Sequence, residues 1–248
     1  VENPQLYITT NVHGTATLLE CMKESGIRKI VFSSSAATYG EPLSDLISED
    51  TPTNPTNPYG QTKLDVDRLL TDAASSDGIA AISLRYFNVA GALKTHDGWL
   101  GERHDPETHL IPRMFESLNN NNFYIYGNDY NTSDGTCIRD YVHVSDVADA
   151  HILADEYLQS PYQNQPRTFN LGTGKGHSVL EVINTAVTEL NIPIIYLLKQ
   201  RRDGDPSRLV ANCDLAKRYL NFKPKHNLKS ILRTAYNWYG KQRNRTVV

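Results

Sequence analysis

Two hydrophobic rhythms alternate along this chain. Val12, Thr15, Ala16, Leu19 and Met22 recur at helical spacing, and Gly26 follows as a C-terminal cap. Ile30-Val31-Phe32 is apolar at every position and turns into Ser33-Ser34-Ser35. Such a run predicts a strand buried on both faces, and hence a parallel sheet. Asn57-Pro58 opens a helix, with Asn as N-cap and Pro at the first helical position. Val66, Leu69, Leu70 and Ala73 form its apolar face. A second buried strand, Ile79 to Phe87, ends at Asn88. Strand, helix, strand is a βαβ unit, right-handed by precedent.

Beyond Gly91 the rhythm breaks. Residues 92–109 are polar, charged and rich in His, and read as a long surface loop. The pattern then predicts a helix around Leu110–Leu118, a strand Phe123–Tyr126, a turn-rich stretch Gly127–Gly135 and a helix from Ser145 to Leu158. Phe169–Leu171 reads as a strand. Ser178 to Leu190 reads as a helix opened by a capping box, Ser178 with Glu181. Ile194–Leu198 is an expected strand, and Asp214–Leu220 and Leu228–Tyr239 are expected helices. There is no internal repeat, and no low-complexity segment beyond the Asn run 119–122. The fold class is α/β: a parallel sheet with a smaller mixed lobe against it.

Composition narrows the classes. With 39% apolar and 21% charged residues in 248, the proportions are globular. The formal net charge of −3 and the absence of basic blocks give no nucleic-acid footprint. No apolar run reaches the ~18 residues of a membrane span. Cys21, Cys137 and Cys213 are scattered and odd in number. They match neither a metal site nor a disulfide framework, so no metal is expected and the cytoplasm is the expected compartment.

Tyr59 and Lys63 stand four apart and share a helix face. A Tyr near pKa 10 is a poor base at neutral pH, and a neighbouring ammonium favours the phenolate. That is what a Tyr acid/base catalyst requires. Ser33-Ser34-Ser35 ends a buried parallel strand, where open α/β sheets bind ligands. A Ser hydroxyl there can bond a reacting oxygen while Tyr59 moves the proton.

Six segments carry a resemblance: SSSAATYG (33–40), NPYGQTK (57–63), LRYFNVAGA (84–92), IYGNDYNTSDGTCIRDYVHVSDVADAH (125–151), FNLGTGKGHSV (169–179) and RRDGDPSRLVAN (201–212). In order and nearly throughout, the chain resembles the UDP-glucose 4-epimerases, of the extended short-chain dehydrogenase/reductase type. The resemblance implies a Rossmann-type doubly wound sheet, incomplete at its start: residues 1–91 as the latter part of an NAD-binding domain, and 92–248 mainly as a nucleotide-sugar lobe with segments returning to the first domain. It implies Ser35, Tyr59 and Lys63 as the catalytic set. Asn11, Ser33, Tyr59, Lys63, Tyr86 and Phe87 would meet NAD. Ser35, Tyr59, Asn88, His109, Leu110, Tyr124, Tyr126, Arg139, Arg202, Asp205 and Leu209 would meet a UDP-hexose. Two arginines suit a pyrophosphate, since each guanidinium is a fork of donors. Asp140 and His143 read as structural, and the histidines other than His109 as loop or surface residues.

The implied reaction is 4-epimerisation. Tyr59 takes the 4-hydroxyl proton, NAD takes the 4-hydride, the keto sugar turns, and the hydride returns to the opposite face. Ala36 and Ala37 lack the acidic groups of a dehydratase. His109 replaces an Asn common in the family. Leu209 stands where substrate size is gated, which leaves N-acetylated UDP-sugars open as substrates. The sequence contains no G-x-x-G-x-x-G fingerprint for the dinucleotide pyrophosphate, and it begins at Val1. The first βαβ portion is therefore expected to be missing, and the competing reading is a catalytically silent fragment lacking the cofactor fingerprint, or a non-enzymatic nucleotide-sugar binder. The resemblance also implies a homodimer.

Overall fold

The fold is given by a computed structural model, which describes residues 3–120, 123–160 and 167–243. Val1 and residues 121–122 of the Asn run lie outside them. The first helical stretch begins earlier than the apolar pattern indicates. Asn3 caps α1 (Pro4–Tyr7), accepting from Leu6 N at 3.2 Å. A π-helical turn over Ile8–His13 leads into α2 (Gly14–Glu24). No residue of α1 or the π turn is buried, so no apolar face marks them. Gly26, at φ +71°, closes α2: its N–H bonds Lys23 O, and Ile27 N bonds Met22 O at 2.9 Å. This double bond to the last carbonyls is the Schellman arrangement.

Strand β1 (Lys29–Ser35) includes all three serines, and a 3-10 turn over Ala36–Tyr39 follows. Helix α3 (Pro58–Asp77) starts as its sequence dictates, with Asn57 Oδ1 accepting from Gly60 N at 2.9 Å. It ends at Gly78, φ +65°. Strand β2 (Ala80–Tyr86) pairs parallel with β1, with Ser35 opposite Tyr86. Ile30, Val31 and Phe32 are half-buried, not fully buried as expected, because β1 is the edge of the described sheet.

The chain then leaves this sheet. β3 (Asn88–Ala90) belongs to a second one. The stretch expected as a loop opens instead with a hairpin, β4 (Ala92–Thr95) and β5 (Gly98–Gly101). Neither strand has an alternating burial pattern, and the adjacent Leu93 and Lys94 are both exposed, so no apolar rhythm marks the hairpin. Next come α4 (Leu110–Asn120), β6 (Tyr124–Tyr126), β7 (Ile138–His143) and α5 (Val144–Leu158). β7 carries Arg139, Asp140 and His143 and was not recognisable as a strand, since charged side chains occupy buried positions.

β8 (Arg167–Leu171) completes the first sheet, in the parallel order β1-β2-β8. β9 (Gly176–Ser178) pairs antiparallel with β7 and leads into α6 (Val179–Leu190). Ser178 caps α6 through Glu181 N at 3.0 Å, but the Glu181 carboxylate meets His177 Nδ1 at 2.7 Å, so the expected reciprocal box is half made. β10 (Leu197–Lys199) starts three residues later than expected and pairs parallel with β6. β11 (Arg208–Leu209), α7 (Asp214–Tyr219) and α8 (Leu228–Arg243) finish the chain.

Successive residues of the first sheet point to opposite faces. Ile30, Phe32, Ile79 and Ala81 pack with Leu19, Met22, Val66, Leu70 and Ala73 of α2 and α3. Val31, Ile82, Leu84 and Phe169 pack with Val147, Ala150 and Ala154 of α5 and with Ala216 and Leu220 around α7. Helices on both faces make the sheet doubly wound. A third core joins α4, α6 and α8 through Met114, Phe115, Val182, Ile183, Ile231 and Leu232. Between them, Ala36, Tyr39, Ile47, Phe87 and Ala211 form a small cluster beneath the serine turn.

Candidate active site

The carboxyl ends of β1 and β2 open into a cleft of ≈ 1210 Å³. Ser35, Tyr59, Tyr86, Phe87, Asn88, His109, Leu110, Arg139 and Leu209 all line it. Asn11, Ser33 and Lys63 are not among the lining residues. Asn11 Nδ2 donates to Thr62 Oγ1 at 3.0 Å, on the α3 turn that carries Lys63. Tyr124, Tyr126, Arg202 and Asp205 lie outside the cleft lining, although Asp205 reaches it by pairing with Arg139.

Helix α3 brings Tyr59, Lys63 and Asp67 onto one face at successive turns. Lys63 Nζ donates to Ser33 O at 2.9 Å and lies 5.6 Å from the Tyr59 ring centre. Burial lowers its pKa, while the Asp67 carboxylate works in the opposite direction. Tyr59 is half-buried, with Tyr7 edge-on at 5.8 Å. Burial raises the Tyr59 pKa, outweighing its hydrogen bond with Ser35. This corrects the expectation of a phenol depressed by its ammonium neighbour: in the protein alone, desolvation dominates. Ser35 opens the 3-10 turn, its Oγ accepting from Ala37 N at 3.2 Å.

Tyr86 is tied down from two sides. Its hydroxyl is 2.8 Å from Ser33 Oγ and 2.7 Å from His151 Nε2. His151 Nδ1 contacts Val147 O at 2.8 Å, which makes that nitrogen the donor. Burial pushes the Tyr86 phenol up to about 12. His151 is thus not the loop or surface residue expected of it. The sequence offered no signal for this role, which exists because α5 packs on the sheet face below Tyr86.

Under the site, Asp67 Oδ2 accepts from Arg85 Nε at 3.0 Å and from Nη2 at 2.8 Å. Arg85 also lies 4.8 Å from the Tyr39 ring centre, and Tyr39 OH donates to Asn170 Oδ1 at 2.8 Å. Asp140 and His143 are occupied structurally. The Asp140 carboxylate accepts from Thr173 N and Oγ1, Gly174 N and Ala211 N, bracing the Gly172–Gly176 turn. His143 contacts Ser145 Oγ and Thr234 Oγ1 and stacks on His226 at 4.0 Å.

Arg139, in the same lining, donates to Ile138 O and pairs with Asp205. A guanidinium has five N–H groups, so donors remain for an anion. Tyr124 and Tyr126 share one face of β6 and are covered by cations: Lys199 Nζ is 3.7 Å from the Tyr124 ring centre, and Arg202 Cζ is 3.9 Å from that of Tyr126. His109 Nδ1 is engaged with Glu102, which raises its pKa.

Residues 1–172 match the model of the NAD dependent epimerase/dehydratase family. The chain belongs to this family. It is similar to proteins named for UDP-glucose epimerisation. It is 46% identical over 242 residues to a UDP-glucose 4-epimerase of Lactobacillus helveticus, covering 96% of this chain and 72% of that protein. It superposes with TM-score 0.90 and 43% identity on a UDP-glucose 4-epimerase of Brucella ovis in complex with NAD, covering 97% of this chain and 74% of that one. A UDP-glucose-4-epimerase of Stenotrophomonas maltophila with bound NAD and formylated UDP-arabinopyranose gives TM-score 0.92 at 36% identity, covering 98% and 72%.

The residues of this family member fit the nicotinamide end of a dinucleotide. They stand at the carboxyl ends of parallel strands, where such ligands bind. Ser34 Oγ, in the cleft wall, is buried without a hydrogen-bond partner. A buried hydroxyl left unmatched is costly and points to a ligand or water partner.

Proposed function

We propose that this chain interconverts UDP-glucose and UDP-galactose by transient oxidation at sugar C4, with NAD as the bound cofactor. The observation that carries the reading is the hydrogen bond of Tyr59 with Ser35 in the cleft wall, with Lys63 one helical turn beyond and Arg139 in the same lining. A volume of ≈ 1210 Å³ exceeds the roughly 300–1,000 Å³ typical of a single small-ligand pocket. It has room for a sugar nucleotide beside part of a dinucleotide.

The residues divide the work in this reading. Ser35 holds the sugar 4-oxygen by a hydrogen bond. Tyr59 takes the 4-hydroxyl proton and later gives it back. NAD, when bound, supplies the hydride acceptor for C4 and the return of that hydride. Lys63 places a cation beside the Tyr59 ring and holds the cofactor ribose together with Asn11. Tyr86, fixed by Ser33 and His151, and Phe87 wall the nicotinamide site. Asn88, Arg139, Arg202 and Asp205 bind the diphosphate and ribose. His109, Leu110, Tyr124 and Tyr126 bind the uridine, with Lys199 and Arg202 over the two rings. Leu209 borders the sugar.

Burial keeps Tyr59 protonated at rest, so the abstracting step is favoured as pH rises. Tyr59→Phe is expected to lower kcat by about 10²–10⁴-fold while UDP affinity, read by calorimetry, changes little. A variant with near-normal epimerase activity refutes the assignment. The chain is further proposed to pair with a second copy through its first helices, where Leu6, Ile8 and Leu18 expose apolar surface. Sedimentation tests that. A cytoplasmic location is part of the same reading, and no described helix is long and apolar enough to cross a membrane.

A further inference from the structure

Where β5 ends and α4 begins, four side chains turn their donor atoms toward one point. They are Glu102, His104, Glu107 and His109, and the four donor atoms all lie within 4.8 Å of one another. Each imidazole Nδ1 faces both Oε1 atoms. His104 Nδ1 is 3.0 Å from Glu102 Oε1 and 3.9 Å from Glu107 Oε1. His109 Nδ1 is 3.5 Å from Glu107 Oε1 and in contact with Glu102 Oε1. A tetrahedral zinc site with bonds of 2.0–2.1 Å requires donors about 3.3 Å apart, which these spacings bracket.

We propose that these four residues bind one divalent transition metal ion of the zinc class. The charge balances, because two carboxylates with two neutral imidazoles match a dication. The set mixes nitrogen and oxygen donors as zinc sites do. Both acidic residues are already held in place. Glu107, with its side chain 4% exposed, accepts at Oε1, the oxygen that also faces the imidazoles, from Thr108 N at 2.7 Å and from His109 N at 2.8 Å. Glu102 is anchored through its carbonyl, which accepts from Trp238 Nε1 of α8 at 2.9 Å. Such supporting bonds hold ligands in place for a metal. The ion would join the end of the hairpin to the first turn of α4. It would thereby fix the cleft wall formed by His109, Leu110 and Ile111, with His109 Nδ1 on the ion and its Nε2 left for the uridine. Binding must displace any imidazole proton, so affinity rises with pH.

The test is calorimetric titration of the chelator-treated chain with Zn²⁺, paired with visible absorption of the Co²⁺ form. One equivalent per chain is expected, with the Co²⁺ bands of a four-coordinate site. Glu107 also holds the backbone of the α4 entry and could fail to fold when changed, so the decisive variant is His104→Ala, at an exposed position. It should weaken Zn²⁺ binding by more than the about 10–100-fold that loss of a supporting contact costs. His96→Ala, which removes an exposed imidazole paired with Asp97, should leave binding unchanged. Absence of a bound equivalent, or His104→Ala binding Zn²⁺ as the parent does, overturns the proposal and leaves an ion-pair cluster. Neither outcome depends on epimerase activity.

Discussion

Asp67→Asn tests whether the acid/base pair rests on a buried ionic support. Both partners are nearly dry: the Asp67 and Arg85 side chains are 8% and 7% exposed. Arg85 gives two charge-assisted bonds to Asp67 Oδ2. At roughly 1.5–3 kcal/mol for each hydrogen bond to a charged group, the contact is worth about 3–6 kcal/mol. Removing one partner of a buried pair costs about 3–5 kcal/mol, because the other charge is left without compensation. Part of that is recovered by the Arg85 contact with the Tyr39 face. The expected loss is therefore about 3 kcal/mol, read as a lower urea midpoint at unchanged slope. There is a second readout. Asp67 raises the Lys63 pKa against burial, so its removal should lower that pKa further. The double variant Asp67→Leu/Arg85→Leu should regain much of the lost stability, since an apolar pair can replace an ionic one. A loss under about 1 kcal/mol for Asp67→Asn refutes the argument.

Gly60→Ala should disturb the catalytic pair without touching it: a Cβ there would lie 2.4 Å from the Ala37 carbonyl oxygen, driving α3 from the turn that holds Ser35. About 1–3 kcal/mol of destabilisation, with a fall in kcat, is expected from thermal melts and turnover assays; unchanged values contradict it. Burial and the neighbouring His226 depress His143 to about 4, against a raising effect of Asp146. A depressed folded pKa means that the unfolded chain binds the proton first, so this stability is present above about pH 6.5 and is lost as pH falls toward 4. Comparing urea midpoints at both ends should show His143→Gln with a shallower acid loss, by at most about 3 kcal/mol. Leu209→Tyr should narrow the cleft, raising KM for a UDP-N-acetylhexosamine more than for UDP-galactose; equal effects refute the gating role.

The segments written most plainly in the sequence are those whose causes are local. Asn57-Pro58 starts α3 because a side-chain cap and a fixed φ act within four residues. Ile30–Phe32 and Ile79–Phe87 announce strands because both faces of the sheet are covered by helices. Tyr59 and Lys63 share a face through helical period alone, and Asp67 continues that ladder one turn on. What the sequence could not show are the effects that join distant residues. The hairpin 92–101 hid in polar composition, and β7 hid behind charged residues satisfied by partners elsewhere in the chain. His151 acquires Tyr86, 65 positions away, only when α5 lies on the sheet. Desolvation of the Tyr59 phenol and the drawing together of Glu102, His104, Glu107 and His109 likewise belong to packing. Local order follows from neighbours along the chain, whereas burial and long-range pairing depend on which surfaces the folded chain brings together. Helix period was therefore enough to pair Tyr59 with Lys63, but only the tertiary structure could set the charge state of that pair.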